Sequence, residues 1–435
     1  MPFRSLLAFL AFTTATFCVL LVRAQNPQAS QSNAASIHSA SSARSLILQE
    51  DDGEHWSRRP GGQTAADGPG PIPEFIIKID KQNGNAEDFL ALTEILTPGA
   101  IIPFHKHHNA EEVLILEEAG ATVTVGDKRA VAGPHSIVFI PRETWVLVTN
   151  TGSGPIHLYA LFSRQGFEEY LRARSVHPGQ PLTPLTAKEL HRAQEQGHST
   201  YWDDSKGPYP PRVASQSTGP SRQSPSAPTP LILQENDGER RFRRPGGPIG
   251  SGSVPEFIIK IDKQNGNAED FYVGTETMNP GGMIPFHKHH NSEEVVVLEE
   301  DGATVTVGDK RAVAGPHSIV FIPRETWVSI ANTGNTPIHG YYLFSRQGFE
   351  NFLRARSVRP GEPLTPLTPE ELRRAADEGH ITPWVLQKAH THRVCHSPDA
   401  TIKPDGVELN EGARHPPRHL SLLMDREFRL PRSVN

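Results

Sequence analysis

Short apolar or alternating runs, separated by turn formers, dominate this chain. Phe75-Ile76-Ile77-Lys78-Ile79, Val113-Leu114-Ile115-Leu116, Ala121-Thr122-Val123-Thr124-Val125 and Ile137-Val138-Phe139-Ile140 have the length and β-branched content of strands. Asn83-Gly84, Gly126-Asp127 and Gly133-Pro134 punctuate them as turns. A helical period emerges only later, in two short stretches. Gly166–Arg174 is the first; the second starts at a Thr186 cap with Glu189 three residues on and stops at Gly197. Strands come first and helices close the unit.

The same order then repeats. Leu46-Ile47-Leu48-Gln49-Glu50 returns as Leu231-Ile232-Leu233-Gln234-Glu235, and Ala121–Trp145 returns unchanged as Ala303–Trp327. The second copy of the capped helix opens Thr368-Pro369-Glu370-Glu371, with proline at the first helical position. Identity at core and surface positions alike points to a recent duplication, so it does not by itself mark functional residues. Residues 46–202 and 231–384 read as two domains, joined by a Pro/Ser-rich linker over 203–230. That linker is too polar to build a shared core, so each domain is expected to fold on its own. Residues 25–45 are polar and expected to be disordered. Residues 385–435 have no counterpart in the first copy; they form a poorly structured tail whose His390, His392, Cys395 and His396 match no structural zinc spacing.

Composition sharpens this picture at three points. With 36 Gly and 39 Pro in 435 residues, the chain exceeds the roughly 12% average share of these two types, which favours turns over long helices. A net charge of −6 offers no basic face, so nucleic acid is not an expected partner. Residues 1–24 read as a signal peptide: Arg4, an apolar run from Leu6 to Val22, and Val22-Arg23-Ala24 before Gln25. The run is long enough that an uncleaved anchor is the alternative. The expected destination is secreted or periplasmic, with no stable membrane association once the signal is removed. Cys18 leaves with the signal and only Cys395 remains, so no intrachain disulfide is available.

The candidate chemistry is also written twice. Pro98-Gly99-Ala100-Ile101-Ile102-Pro103-Phe104-His105-Lys106-His107-His108-Asn109-Ala110-Glu111-Glu112 matches the segment from Pro280 to Glu294. Two histidines one residue apart share a face of a β-strand. A carboxylate five residues on, past a turn, can return to the same point from the next strand. Two imidazoles and a carboxylate form a mononuclear site with open positions. His105, His107 and Glu112, with His287, His289 and Glu294, are the candidate ligands of a divalent metal, whether iron, manganese or zinc.

Gly99, His105, His107 and Glu112, and again Gly281, His287, His289 and Glu294, resemble the first motif of the cupin superfamily. The resemblance implies an all-β fold of two tandem jelly-roll barrels, each closed by short C-terminal helices. It favours Glu112 over Glu111, because the Val-Leu-Ile-Leu strand then falls in the usual register. The second cupin motif is half present: Pro141 and Asn150 align, but Glu143 replaces glycine and Val146 stands where a histidine ligand belongs. Glu325 and Val328 repeat the departure.

Three readings of that loss stay open. The three remaining ligands suffice as a facial triad; or another histidine moves in; or the site is metal-free and its histidines hold a ligand by hydrogen bonds. For the second reading, a hairpin pairing Asn150 with Pro155 sets His157 opposite Val148 and Tyr159 opposite Val146, inside the barrel. His157, Tyr159, His339 and Tyr341 are therefore further candidates. Among other residues, His108 and His290 are expected to face solvent, and His135 and His317 to be exposed turn residues. Trp145 and Trp327 are expected in a core or lid, and Arg58-Arg59 and Arg243-Arg244 as solvated turn charges. The resemblance to quercetinase-like cupins implies a dioxygenase-type oxidoreductase acting on a small molecule, in which Glu112 takes a proton in some members. A non-catalytic ligand-binding cupin and a metal-dependent isomerase are the alternatives, and a homo-oligomer is compatible with all three.

Overall fold

A computed structural model describes residues 43–60, 74–202, 227–245, 256–384 and Leu386. Residues 1–24, expected to be a signal peptide, nearly all of 25–45, most of the linker and the rest of the tail lie outside the described residues. No described helix is long and apolar enough to cross a membrane.

Each repeat folds as an eight-stranded sheet facing a five-stranded one, all pairs antiparallel. In the first repeat the large sheet runs Ser175–Val176, Glu54–Arg58, Glu74–Ile79, Leu90–Leu96, Ile156–Phe162, Glu112–Leu116, Ser136–Ile140 and Leu231–Leu233. The small sheet runs Ser199–Tyr201, Ile101–His107, Val146–Asn150, Ala121–Val125 and Lys128–Val131. The second repeat has the same order. The expected strands and helices all form, and Thr186 and Glu189 cap each other's backbone N–H as their spacing suggested, at 3.2 and 2.8 Å. Such a cap is worth about 1 kcal/mol.

The strand at the end of each large sheet comes from the other repeat. Leu231–Leu233 pairs with Ser136–Ile140 of the first barrel, and Leu46–Leu48 pairs with Ser318–Ile322 of the second. The barrels therefore exchange N-terminal strands. They also share a core: Val113, Ile115, Phe139 and Tyr159 pack in one cluster with Val295, Val297, Phe321 and Tyr341. This corrects the expectation that each repeat folds on its own. The reason lies in the strand sequence: Glu112–Leu116 is buried at every position. Leu114 and Leu116 fill the barrel interior, while Val113 and Ile115 face outward and need a second layer. A strand without polar alternation has both faces covered.

Polar contacts fix the same interface. The Glu111 carboxylate accepts N–H bonds from Glu269, Asp270 and Phe271 at 2.7, 3.0 and 3.2 Å. Glu293 does the same for Glu87, Asp88 and Phe89 at 2.8, 3.0 and 3.3 Å. Arg142 pairs with Glu269 and Asp270, and Arg324 with Glu87 and Asp88.

Candidate metal centres

Gly99 and Gly281, at φ of 82° and 77°, make the left-handed turns that start the two histidine strands. Within each strand the register slips: Val146 faces His105, yet Val148 faces Ile102, so an extra residue bulges near Pro103. The carbonyl of Pro103 lies 2.8 Å from His105 Nδ1. Donation to that carbonyl fixes the tautomer and leaves the Nε2 lone pair toward the barrel axis. Pro285 holds His287 identically at 2.8 Å. His107 follows on the same face. Glu112 returns from the large sheet, its Oε2 3.3 Å from His107 Nε2. The ligand atoms of His105, His107 and Glu112 lie within 4.8 Å of one another, as do those of His287, His289 and Glu294.

The surroundings favour a cation. Both nitrogens of His107 and Oε2 of Glu112 are buried without a hydrogen-bond partner, and the second barrel repeats this at His289 and Glu294. Burial, with His107 close by, holds His105 down at about 4, and burial holds His107 at about 3. Burial pushes Glu112 and Glu294 up to about 7. Neutral imidazoles with free lone pairs suit metal ligation, and a cation offsets the cost of ionising the carboxylate. The residues present fit a divalent metal.

The additional candidates lie elsewhere. Ile156–Phe162 does not form a hairpin with Val146–Asn150; it crosses to the large sheet and pairs with Leu90–Leu96 and Glu112–Leu116. The faces are thereby reversed from the expectation. His157 Nδ1 donates to the Glu118 carboxylate at 2.8 Å, and the Tyr159 hydroxyl donates to Glu117 at 2.6 Å, both between the repeats. His339 and Tyr341 likewise contact Glu299, at 2.8 and 2.6 Å. None of the four reaches the barrel ligands. Val146 and Val328 are buried in the barrel interiors beside His105 and His287.

Other expectations also change. His135 and His317 are not free turn residues: each reaches into the other repeat, His135 to Glu299 and His317 to Glu117, both at 2.8 Å. Arg58 forms a two-pronged pair with Glu94, both bonds 2.6 Å, and Arg243 pairs with Glu276, so neither is a solvated charge. Arg59 and Arg244 bond the carbonyls of Thr183 and Thr365, each at 2.8 Å. His108 and His290 do face solvent as expected, their side chains 36% exposed, and bond Glu143 and Glu325, which hold the left-handed conformation of the missing motif glycine at φ of 61° and 59°. Trp145 packs edge-on to Trp202, and Trp327 to Trp384.

A cupin domain model matches residues 92–162 and again 274–344, one copy over each ligand set. The chain carries two cupin domains in tandem. A gentisate 1,2-dioxygenase from Ralstonia sp is 24% identical over 143 residues, covering 32% of this chain and 38% of that protein. The tandem cupin thus spans well under half the length of this relative. Among solved structures, the Lactobacillus farciminis oxalate decarboxylase formate complex is 15% identical with a TM-score of 0.47, covering 82% of this chain and 94% of that one. A Bacillus subtilis oxalate decarboxylase, described for its Mn(II) centres, is 15% identical with a TM-score of 0.46, covering 80% and 90%.

The two cupin barrels differ around their identical ligands. In the first, Tyr201 stacks on His105 at 5.2 Å and on Tyr170 at 5.0 Å, and the Tyr170 hydroxyl accepts from Arg174 at 2.7 Å. In the second, Pro383 takes the place of Tyr201 opposite the histidine, Phe352 that of Tyr170, and Gly274 that of Leu92. Two small cavities of about 50 and 40 Å³ open there, both lined by His287 and Arg243. Arg356 lines the first and Glu294 the second. Arg356 is 7% exposed, lies over the Phe352 ring at 5.0 Å, and its Nε has no hydrogen-bond partner. Burial, with Arg243 nearby, lowers its affinity for the proton to about 9. The sequence gives no signal for Arg356, because an arginine ending a short helix is ordinary.

Proposed function

We propose that this tandem cupin is a metal-dependent, dioxygenase-type oxidoreductase whose second barrel takes a small organic acid. The observation that carries this reading is the juxtaposition of His287 and the buried Arg356 on one cavity. A divalent iron or manganese held by His287, His289 and Glu294 would supply open coordination positions and redox capacity. Val328 leaves the fourth protein position without a ligand. Arg356 presents a charged fork that suits a carboxylate, and Arg243, engaged by Glu276, adds positive field without offering its own. Phe349 and Leu353 line both cavities and exclude water from the acid once it is seated. A few waters, or an acid of a few heavy atoms, fill such a space. The dioxygenase name of the Ralstonia relative supports oxygen chemistry on an organic acid.

Mn(II) resonance of the loaded protein tests this without relying on turnover. Adding a small dicarboxylate should alter the spectrum of the parent and of His105→Ala/His107→Ala, but not of His287→Ala/His289→Ala. A spectrum indifferent to the acid in all three proteins contradicts the reading. Binding without oxygen uptake would transfer the site to a non-catalytic binding cupin, and binding with product isomerisation to an isomerase. Export is part of the same proposal, on the strength of Arg4, the apolar run and Val22-Arg23-Ala24. Native protein should begin at Gln25; retention of Met1 in a membrane fraction contradicts it.

A further inference from the structure

Outside the barrels, the repeats bring a second kind of cluster together. His135 comes from a left-handed turn of the first repeat, at φ 55°. It enters the second repeat, where Glu299 and His339 lie. His339 Nδ1 lies 2.8 Å from Glu299 Oε2, and His135 Nδ1 sits between the two carboxylate oxygens, 2.8 Å from Oε2 and 2.9 Å from Oε1. The Tyr341 hydroxyl donates to the other oxygen, Oε1, at 2.6 Å. The two rings stand 4.9 Å apart at 84°. That is the disposition of His105 and His107 in the barrel, 4.9 Å and 85°.

The geometry assigns a third metal site to this tandem cupin, between its repeats, in which His135, His339 and Glu299 bind a zinc-type divalent cation. Bonds of about 2.0–2.2 Å set neighbouring ligand atoms roughly 3.0–3.4 Å apart; each imidazole nitrogen is already within a few tenths of an ångström of that spacing from Oε2, and all three atoms lie within 4.8 Å of one another. Binding through Nδ1 moves each ring's proton to Nε2 or releases it to water. Tyr341 keeps Oε1 occupied and turns Oε2 to the ion, the supporting role that outer hydrogen bonds play at metal sites. A cleft of about 350 Å³ reaches His339; Arg240 and Arg243 pair with its Glu256 and Glu276, and Glu235 also lines it.

The duplicated counterpart is arranged differently. There the His157 and His317 rings lie stacked, 4.4 Å apart and only 10° from parallel. An imidazole lone pair lies in its ring plane, so two stacked rings do not direct theirs at one ion. His157 Nδ1 turns to Glu118 at 2.8 Å and stands 3.8 Å from Glu117. The inference concerns one site.

Equilibrium dialysis of metal-stripped, full-length protein against zinc, with metal counted per chain, tests it. The parent should bind one equivalent more than His135→Gln/His339→Gln, whatever the barrels hold; glutamine preserves a donor toward Glu299. A variant with His105, His107, His287 and His289 all changed to Gln should keep that one equivalent, which separates this site from the barrel centres. Equal counts in the parent and His135→Gln/His339→Gln overturn the assignment. Anomalous scattering at the zinc edge, from crystals of unmodified protein soaked in zinc, gives the same decision without a folded variant. A peak within about 2.2 Å of His135, His339 and Glu299 supports the site. Its absence, with or without zinc in the barrels, overturns it.

Discussion

The first barrel and the second hold the same two histidines and glutamate in the same geometry, but aromatic side chains stack on the first barrel's histidine where two cavities open beside the second's. Tyr201, Tyr170 and Leu92 fill the first; Pro383, Phe352 and Gly274 open the second. Each exchange is small, yet together they release Arg356 from the hydroxyl that engages Arg174 and set it on a cavity with His287. A duplicated ligand set thus does not imply a duplicated activity. The ligands constrain what metal is held, and the residues packed around them decide whether anything else enters.

The comparison breaks most severely at the exchanged strands. Removing residues 1–50 takes Leu46–Leu48 from the second barrel and leaves the first barrel's own partner strand, Leu231–Leu233, in place. The account expects the second barrel to lose about 2–4 kcal/mol, since all three side chains are partly buried and a fully buried aliphatic contributes about 1.5–3 kcal/mol. Hydrogen exchange should rise across Ser318–Ile322 while Ser136–Ile140 stays protected. Conversely, a chain cut only in the linker should elute as one particle in size exclusion, because the halves hold each other's strands.

A smaller but functionally sharper effect comes from the ligands. His287→Ala/His289→Ala should abolish binding of a small dicarboxylate together with the second barrel's metal, a loss of more than 100-fold, since even supporting residues cost 10- to 100-fold. His105→Ala/His107→Ala should remove metal from the first barrel and leave the acid's dissociation constant unchanged in calorimetry. Smaller again is Arg356→Gln, which should weaken the acid by roughly 10- to 100-fold, the worth of a charged hydrogen bond of about 1.5–3 kcal/mol. The smallest expected change is Phe352→Tyr. It restores the phenol that engages Arg174 in the first barrel and should cost the acid only a few-fold in affinity.

Much of this was legible in the residues. The β-rich runs, the duplication and the His-x-His…Glu spacing lead to two jelly rolls with a ligand cluster in each, because strand alternation and a tight turn are local rules. The fate of His157 was not legible. Its strand returns to the opposite sheet rather than to its neighbour in sequence, and one face is exchanged for the other. His135 and His317 read as surface turns because their partners lie in the other repeat, far along the chain. The strand exchange was hidden for a related reason. Leu46–Leu48 and Leu231–Leu233 are the same sequence, so nothing local distinguishes pairing within a repeat from pairing across repeats.

Metal content is the most direct test of the central claim, that each barrel's histidine pair and glutamate bind a divalent ion. Parent protein and the variant with His105, His107, His287 and His289 changed to Gln should be equilibrated with Mn(II) or Fe(II) and analysed for metal per chain. The account predicts two equivalents fewer in the variant, one for each barrel. An unchanged metal content between the two proteins would contradict it.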